Sequence, residues 1–192
     1  MDAFLVPAGA VALAEIGDKT QLLAFMLAAR FKKTTPIILG IVCATLVNHG
    51  LAGALGALAA SAIDPGFLRW ALGLSFIAMA AWILVPDKLD EAETGAATRY
   101  GVFATTFATF FLAEMGDKTQ LATVAMAMHY SAPLLVVLGT TLGMLIADVP
   151  AVIAGDRLGK KLPVKAIHIV AAAVFAVLGV ATLLGVGKDV GL

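Results

Sequence analysis

The sequence predicts an all-α membrane protein in which six transmembrane helices form two inverted three-helix repeats. The 192-residue chain is 61% hydrophobic and 14% charged, whereas soluble domains are about 45–50% apolar and about 25% charged. Six apolar runs are each long enough to cross a bilayer, which takes about 20 residues. Part of the first half of the sequence, across its first two predicted helices, also recurs in the second half at an offset of 99 residues.

Short polar connectors separate the six predicted spans. A longer polar segment, 87–100, is expected to link a first repeat over 1–86 to a second repeat over 101–192. The first span is expected to be retained rather than cleaved, because Met1-Asp2 lacks the positive charge that opens a signal peptide. The predicted spans cover residues 4–29, 36–60, 67–86, 101–128, 133–155 and 166–187.

The distribution of Lys and Arg predicts how the chain is oriented. Outside the repeated motif described below, nine of eleven such residues lie in the first, third and fifth connectors, and only Arg69 and Lys188 lie on the opposite side. Cytoplasmic loops carry an excess of Lys and Arg, so these connectors are expected in the cytoplasm and both termini outside it, in the inner (plasma) membrane. The nine residues are Arg30, Lys32, Lys33, Lys88, Arg99, Arg157, Lys160, Lys161 and Lys165.

The strongest part of the repeat is a polar stretch inside the first and fourth spans. LAEIGDKTQL over 13–22 and LAEMGDKTQL over 112–121 are identical at nine of ten positions. The same offset places Gly40 on Gly139 in the second helix of each half. Each half holds an odd number of spans, so the two copies would cross the membrane in opposite directions. Transporters with inverted repeats hold their ions near the bilayer midplane, between the repeats.

Each copy of the motif places two acids and a glutamine at intervals of three residues, so these side chains are expected on one helix face. An axis in the membrane plane would bring the two faces together near the midplane. Glycine weakens a helix and permits close backbone approach, so a local break or a tight helix crossing is expected at Gly17 and Gly116. The residues expected to converge on a metal are Glu15, Asp18, Gln21, Glu114, Asp117 and Gln120.

The charge of this cluster indicates what it binds. An ionised carboxylate at the bilayer centre costs at least about 2.5–3.5 kcal/mol on insertion scales, so four of them need partners. Lys19 and Lys118 each follow a motif glutamate by four residues and can pair within their own helix, where they would tune charge. Four negative and two positive charges leave a sum of minus two. One divalent cation or two protons would neutralise it, and oxygen ligands favour Mg²⁺, Ca²⁺ or Mn²⁺.

Polar residues in the second helix of each half are weaker candidates for the ion route. Asp148 lies two residues before Pro150, which frees the carbonyl of Ile146. Asp148 is therefore either a further acid on the route, carrying a proton, or a polar residue of a helix kink. Asn48 and His49 occupy the matching place in the first half, and a lone intramembrane histidine is more often a hydrogen-bonded packing residue.

Other classes of protein fit poorly. A net charge of zero offers no basic surface for nucleic acid. The lone Cys43 supports neither a disulfide framework nor a thiolate metal cluster, and the phosphate-loop motif is absent. No resident cofactor is expected. The expected partners are a divalent metal ion and protons as substrates and the lipid bilayer, and the oligomeric state stays open.

The repeated motif also supports a resemblance. Two copies of E-x-G-D-[KR]-[TS], over 15–20 and 114–119, resemble those of a small six-helix cation transporter family, uncharacterised protein family 0016. That family includes Golgi manganese/calcium transporters and bacterial manganese exporters, and the resemblance covers essentially the whole chain. It implies that the motifs bind the cation, that Mn²⁺ is the substrate with Ca²⁺ as the family alternative, and that protons are exchanged. Export of Mn²⁺ from the cytoplasm is therefore the expected function.

Three alternatives remain open from the sequence. A Ca²⁺/H⁺ antiporter of the same fold fits because Ca²⁺ accepts roughly six to eight oxygen ligands in flexible geometry. An intramembrane enzyme would need two carboxylates in different environments, which two intact copies of one motif do not favour. A passive divalent-cation channel would conduct continuously and show no counter-transport.

Overall fold

The computed structural model describes residues 1–85, 101–154 and 164–185, and the regular structure in these ranges is α-helical throughout. The predicted 87–100 linker and most of the fifth connector lie outside the described residues, together with several of the basic residues that predict orientation. The described helices are α1 (Asp2–Glu15), α2 (Lys19–Phe31), α3 (Thr34–Ala62), α4 (Pro65–Ile83), α5 (Gly101–Glu114), α6 (Lys118–His129), α7 (Pro133–Ala154) and α8 (Val164–Leu184).

Three of these helices, α3, α4 and α7, are long and apolar enough to cross a membrane by length and composition. The α5 helix and the Ala172–Leu184 part of α8 are apolar but shorter. Large apolar side chains such as Leu58, Leu134, Ile153 and Val177 are exposed on the helix surfaces, as suits contact with lipid. The protein is an all-α membrane protein, as predicted, while the count of six spans and the inversion of the halves stay predictions.

The first and fourth predicted spans are each broken into two helices at the repeated motif. The chain leaves the helix over 16–18 and again over 115–117. Gly17 and Gly116 have φ angles of 88° and 76°, a region that glycine occupies without the steric cost of a Cβ atom. The predicted local break is therefore confirmed. The prediction that the acids of one motif share a helix face is wrong, because the chain turns between them.

Each broken span packs against the long helix of the other half, α1 mainly on α7 and α5 on α3. Glycines permit this close approach. A Cβ atom at Gly40 would lie 2.7 Å from Cβ of Thr106 and 3.0 Å from the carbonyl oxygen of Phe103, and one at Gly139 would overlap the carbonyl oxygen of Phe4. Phe4 and Phe103 are separated by the same 99 residues as the two glycines. The two halves therefore make equivalent contacts, as the sequence repeat predicts.

Two clusters of buried apolar side chains hold the helices together. One joins α1, α4, α6, α8 and the start of α7, and it includes Phe76 and Phe175, whose ring centroids lie 6.2 Å apart. The other joins α2, α3, α5 and α7 and includes Ile41 and Phe110. The two helices of each broken span thus belong to different clusters. Both motif turns lie where the chain passes from one cluster to the other.

Candidate metal centre

Three motif carboxylates from the two halves converge inside the protein. One oxygen from each of Glu15, Glu114 and Asp117 lies within 4.8 Å of the other two, and all three residues are buried. Ca²⁺ binds oxygen ligands at about 2.3–2.6 Å, so oxygens at this spacing can share one cation. About a hundred residues separate the two motifs in sequence, and the packing of each broken span on the opposite half brings them together.

The two glutamates have matching surroundings. Oε2 of Glu15 accepts a hydrogen bond of 2.8 Å from the hydroxyl of Thr20, and Oε2 of Glu114 accepts one of 3.2 Å from Thr119. The other oxygen of each glutamate is buried and has no hydrogen-bond partner among the residues that the structure describes. A buried polar atom without a partner is costly. Each glutamate therefore has one oxygen held in place by a threonine and one available to a cation.

The helix breaks add to the negative potential of the cluster. Glu15 and Glu114 are the last residues of α1 and α5, where unsatisfied carbonyls give a helix end partial negative charge. Broken transporter helices use such C-terminal ends to hold cations. The breaks thus place a carboxylate and a helix C-terminus together in each half.

The two motif aspartates occupy the N-cap positions of α2 and α6. Asp117 accepts hydrogen bonds from both the backbone N–H and the hydroxyl of Thr119, at 3.5 and 3.4 Å. Asp18 is also buried and interacts electrostatically with Glu114, but it is not one of the three acids whose oxygens lie within 4.8 Å of one another. Of the four predicted carboxylates, the structure therefore brings three into one cluster.

The motif lysines follow the helix breaks and so lie at the starts of α2 and α6. Nζ of Lys19 lies 3.5 Å from Oδ1 of Asp117, in an ion pair that joins the two halves. Nζ of Lys118 donates a hydrogen bond of 2.8 Å to the carbonyl oxygen of Val85. The sequence spacing permits pairing within each helix, whereas the ion pair of Lys19 crosses between the halves, because the break separates Lys19 from the helix that carries Glu15.

The motif glutamines form hydrogen bonds with the backbone of the two motif turns. Oε1 of Gln21 accepts a hydrogen bond of 2.9 Å from the N–H of Gly17, and Oε1 of Gln120 accepts one of 2.7 Å from Gly116. Nε2 of Gln21 also donates to the carbonyl oxygen of Ala147 on α7 at 2.9 Å. These bonds hold the turns in shape, and a place for the amide oxygens in the shell of a cation stays a prediction.

The weaker candidates on the long helices are all completely buried. Nδ2 of Asn48 donates to the carbonyl oxygen of Phe111 at 3.1 Å. Both ring nitrogens of His49 and both carboxylate oxygens of Asp148 have no hydrogen-bond partner among the residues that the structure describes. The hydrogen-bonded packing role that the sequence analysis favoured for His49 is not seen in these contacts.

The contacts of the motif threonines were not predicted from the sequence. The hydroxyls of Thr20 and Thr119 each contact the glutamate five residues earlier. A helix would place residues five apart on different faces, so the spacing gave no reason to pair them. Their identical placement in the two copies was the available signal.

The fold and the site define a class: an all-α membrane protein with a buried carboxylate cluster between broken helices, whose oxygen donors are the kind that hard cations prefer. The chain belongs to the GDT1 family, described as divalent cation/proton antiporter GDT1, whose sequence profile matches residues 3–91 and 102–189. The family and the relatives below are transporters and not enzymes. The intramembrane enzyme is therefore excluded as an alternative.

Several proteins of known sequence resemble the chain along most of its length. A Vibrio cholerae serotype O1 protein named "Putative manganese exporter" is 50% identical over 173 aligned positions, covering 90% of this chain and 86% of that protein. GDT1-like protein 4 of Oryza sativa subsp. indica is 30% identical over 186 positions, covering 84% of this chain and 66% of that protein. The PAM71-homolog, chloroplastic, of Arabidopsis thaliana is 29% identical, covering 91% and 57%. No solved structure matches the chain at a significant level.

Proposed function

We propose that the protein exports Mn²⁺ from the cytoplasm across the inner (plasma) membrane in exchange for protons. The observation that carries this proposal is the cluster of Glu15, Glu114 and Asp117, in which both glutamates keep one buried oxygen without a partner. Membership of a divalent cation/proton antiporter family supports the exchange. The name of the Vibrio relative supports Mn²⁺ as the cargo.

The charge of the site explains why exchange would be coupled. Four motif carboxylates and two motif lysines sum to minus two, and an unneutralised charge is costly in a low-dielectric interior. One divalent cation or two protons bring the sum to zero. The conformational change is then permitted with either cargo and slow with neither, which is the condition for strict antiport.

Each motif residue then has a part in the cycle. The cation binds at Glu15, Glu114 and Asp117, and Asp18 adds negative charge beside them. Lys19 holds Asp117 in position through the ion pair between the halves. The metal is cargo in this scheme, and we propose no resident cofactor.

Alternating access would use the interfaces between the halves. Secondary transporters of this kind rock one repeat against the other around a fixed midplane site. Here α1 on α7 and α5 on α3 form equivalent interfaces, with close backbone contacts at Gly40 and Gly139. Relative movement at these interfaces would open the cluster to one side and close it to the other.

Ca²⁺/H⁺ exchange at the same site is the second candidate. The three clustered groups are carboxylates, and Ca²⁺ accepts oxygen ligands in several coordination numbers. Mn²⁺ shares the preference for carboxylate ligands, so the donor set permits both ions.

Transport by purified protein in lipid vesicles tests the proposal. Cysteine labelling at positions 2 and 160, after replacement of Cys43, reports which way the protein is inserted; we propose position 2 outside the cytoplasm and position 160 inside. We expect a proton gradient that is acidic on the side of position 2 to drive Mn²⁺ toward that side. Movement of Mn²⁺ down its own gradient is expected to move protons the opposite way, reported by a pH dye.

The same vesicles distinguish the alternatives. Parallel measurements with Ca²⁺, Mg²⁺ and Zn²⁺ rank the cargo, and faster exchange of Ca²⁺ than of Mn²⁺ would favour the second candidate. Mn²⁺ movement without any proton counter-flow would refute antiport with protons and favour a channel or another counter-ion.

A further inference from the structure

Asp148 on α7 is a buried acid that belongs to neither copy of the motif. Its side chain is completely inaccessible to solvent. Neither carboxylate oxygen has a hydrogen-bond partner among the residues that the structure describes. Burying a carboxylate in this way costs free energy, and ionisable groups inside membrane proteins usually mark the routes of ions or substrates. Asp148 therefore has the properties of a residue on an ion route.

The packing of α7 places Asp148 beside the motif cluster. A Cβ atom at Gly139 would meet Phe4, and one at Gly143 would meet the backbone at Ala8 and Ala12. The contacts on α1 move toward its C-terminus as those on α7 do, so the two helices run parallel. Moving one further turn along each helix brings Asp148 alongside the C-terminal end of α1, where Glu15 lies.

Two other observations agree with this position. Gln21 of the first motif donates a hydrogen bond to the carbonyl oxygen of Ala147, the neighbour of Asp148. The Asp148 carboxylate also lies close enough to Glu15 and Glu114 for its negative charge to repel theirs. Asp148 therefore lies near the cluster, and the hydrogen bond from Gln21 ties the adjacent backbone of α7 to the first motif.

The matching place in the first half is occupied by a different chemical group. His49 lies 99 residues before Asp148, and its ring is also completely buried with both nitrogens unpartnered among the described residues. The neighbouring Asn48 contacts Phe111 near the end of α5. The α7 side of the cluster therefore carries an extra carboxylate that the α3 side lacks.

We propose that Asp148 is a further cation-binding residue, which gives the divalent cation a second position beside the motif cluster on the α7 side. The inference rests on the proposed function, because it assumes that the cluster of Glu15, Glu114 and Asp117 holds the cargo. A cation at this second position is bound by the Asp148 carboxylate and by the unpartnered oxygen of Glu15. The transport route is then chemically different on its two sides, although the motifs are nearly identical.

A thiol substitution tests whether Asp148 contacts the metal. Cd²⁺ is a soft cation that thiolates bind strongly. In a Cys43→Ser background, Asp148→Cys is expected to bind Cd²⁺ about tenfold or more tighter than the background protein, with one equivalent giving the ultraviolet thiolate-to-Cd²⁺ absorption. Mn²⁺ is expected to compete for that site. Val136→Cys is the matched control, because Val136 is a buried apolar residue on the same helix.

Absence of this gain at Asp148→Cys, or an equal gain at Val136→Cys, overturns the proposal. The absorption is measured on purified protein and needs no transport, so it is independent of the proposed function. If wild-type protein exchanges Mn²⁺ for protons and Asp148→Cys gains no Cd²⁺ site, only this inference fails. If wild-type protein moves no Mn²⁺, the proposed function fails by itself.

A second variant covers the case in which Asp148→Cys does not fold. Asp148→Asn keeps the shape of the side chain and removes its charge. As a ligand substitution it is expected to raise the KM for Mn²⁺ by about tenfold or more, with kcat changed less. A lower kcat at unchanged KM indicates a structural role and overturns the proposal.

Discussion

Replacing Asp117 with Asn provides the sharpest test of the metal centre, because Asp18→Asn is a matched control. Both aspartates are buried N-cap residues in copies of the same motif. Only Asp117 belongs to the three acids whose oxygens lie within 4.8 Å of one another. The two substitutions remove the same charge from equivalent positions, so a difference between them reports direct contact with the cation.

The expected size follows from the lost ligand. Asparagine keeps an oxygen that can accept hydrogen bonds from Lys19 and Thr119, so the fold is expected to survive. Removing one charged partner from a charge-assisted contact costs about 1.5–3 kcal/mol, which corresponds to roughly a 10- to 100-fold increase in the dissociation constant for Mn²⁺. Asp18→Asn is expected to weaken binding by less than about tenfold, through long-range charge alone.

Binding and stability measure this prediction independently. The electron paramagnetic resonance signal of free Mn²⁺ reports its dissociation constant. At a hundred times the wild-type dissociation constant, Mn²⁺ is expected to stabilise the wild-type fold by about 2.7 kcal/mol, and to stabilise Asp117→Asn by only about 0.4–1.4 kcal/mol. Equal affinities for wild type and Asp117→Asn, or a larger loss at Asp18→Asn, would refute the reasoning that the clustered oxygens bind the cation.

Two further predictions follow from the contacts of the motif and of the glycines. Thr119→Val is expected to weaken Mn²⁺ binding more than Thr20→Val, because the hydroxyl of Thr119 contacts two carboxylates and that of Thr20 contacts one; equal losses in the same titration would contradict this. Gly40→Ala is expected to destabilise the protein by about 1–3 kcal/mol through overpacking, since its Cβ atom would lie 2.7 Å from Thr106. Gly50→Ala on the same helix would meet nothing within 4 Å and is expected to be neutral or stabilising in thermal unfolding.

The membrane class, the motifs and the helix breaks could be read from the sequence. Composition determines that apolar surface faces lipid, because a chain that is 61% hydrophobic has too few polar side chains to cover itself in water. The break at Gly17 is a local property, since glycine reaches a φ angle of 88° that other residues reach only with strain. The recurrence of the motif after 99 residues likewise indicated that two distant segments would have equivalent surroundings.

The partners within the site were decided by tertiary structure. Helical periodicity predicted that Glu15 and Asp18 share one helix face and that Lys19 can pair with Glu15. This periodicity holds only while a helix continues, and the helix ends at Gly17, between the two acids. Once the chain turns, a side chain meets whatever the opposite half presents, so Lys19 pairs with Asp117. Three carboxylates share one cluster because α1 and α5 each pack against the long helix of the other half. Contacts between residues so far apart in sequence depend on tertiary packing, which no local sequence pattern contains.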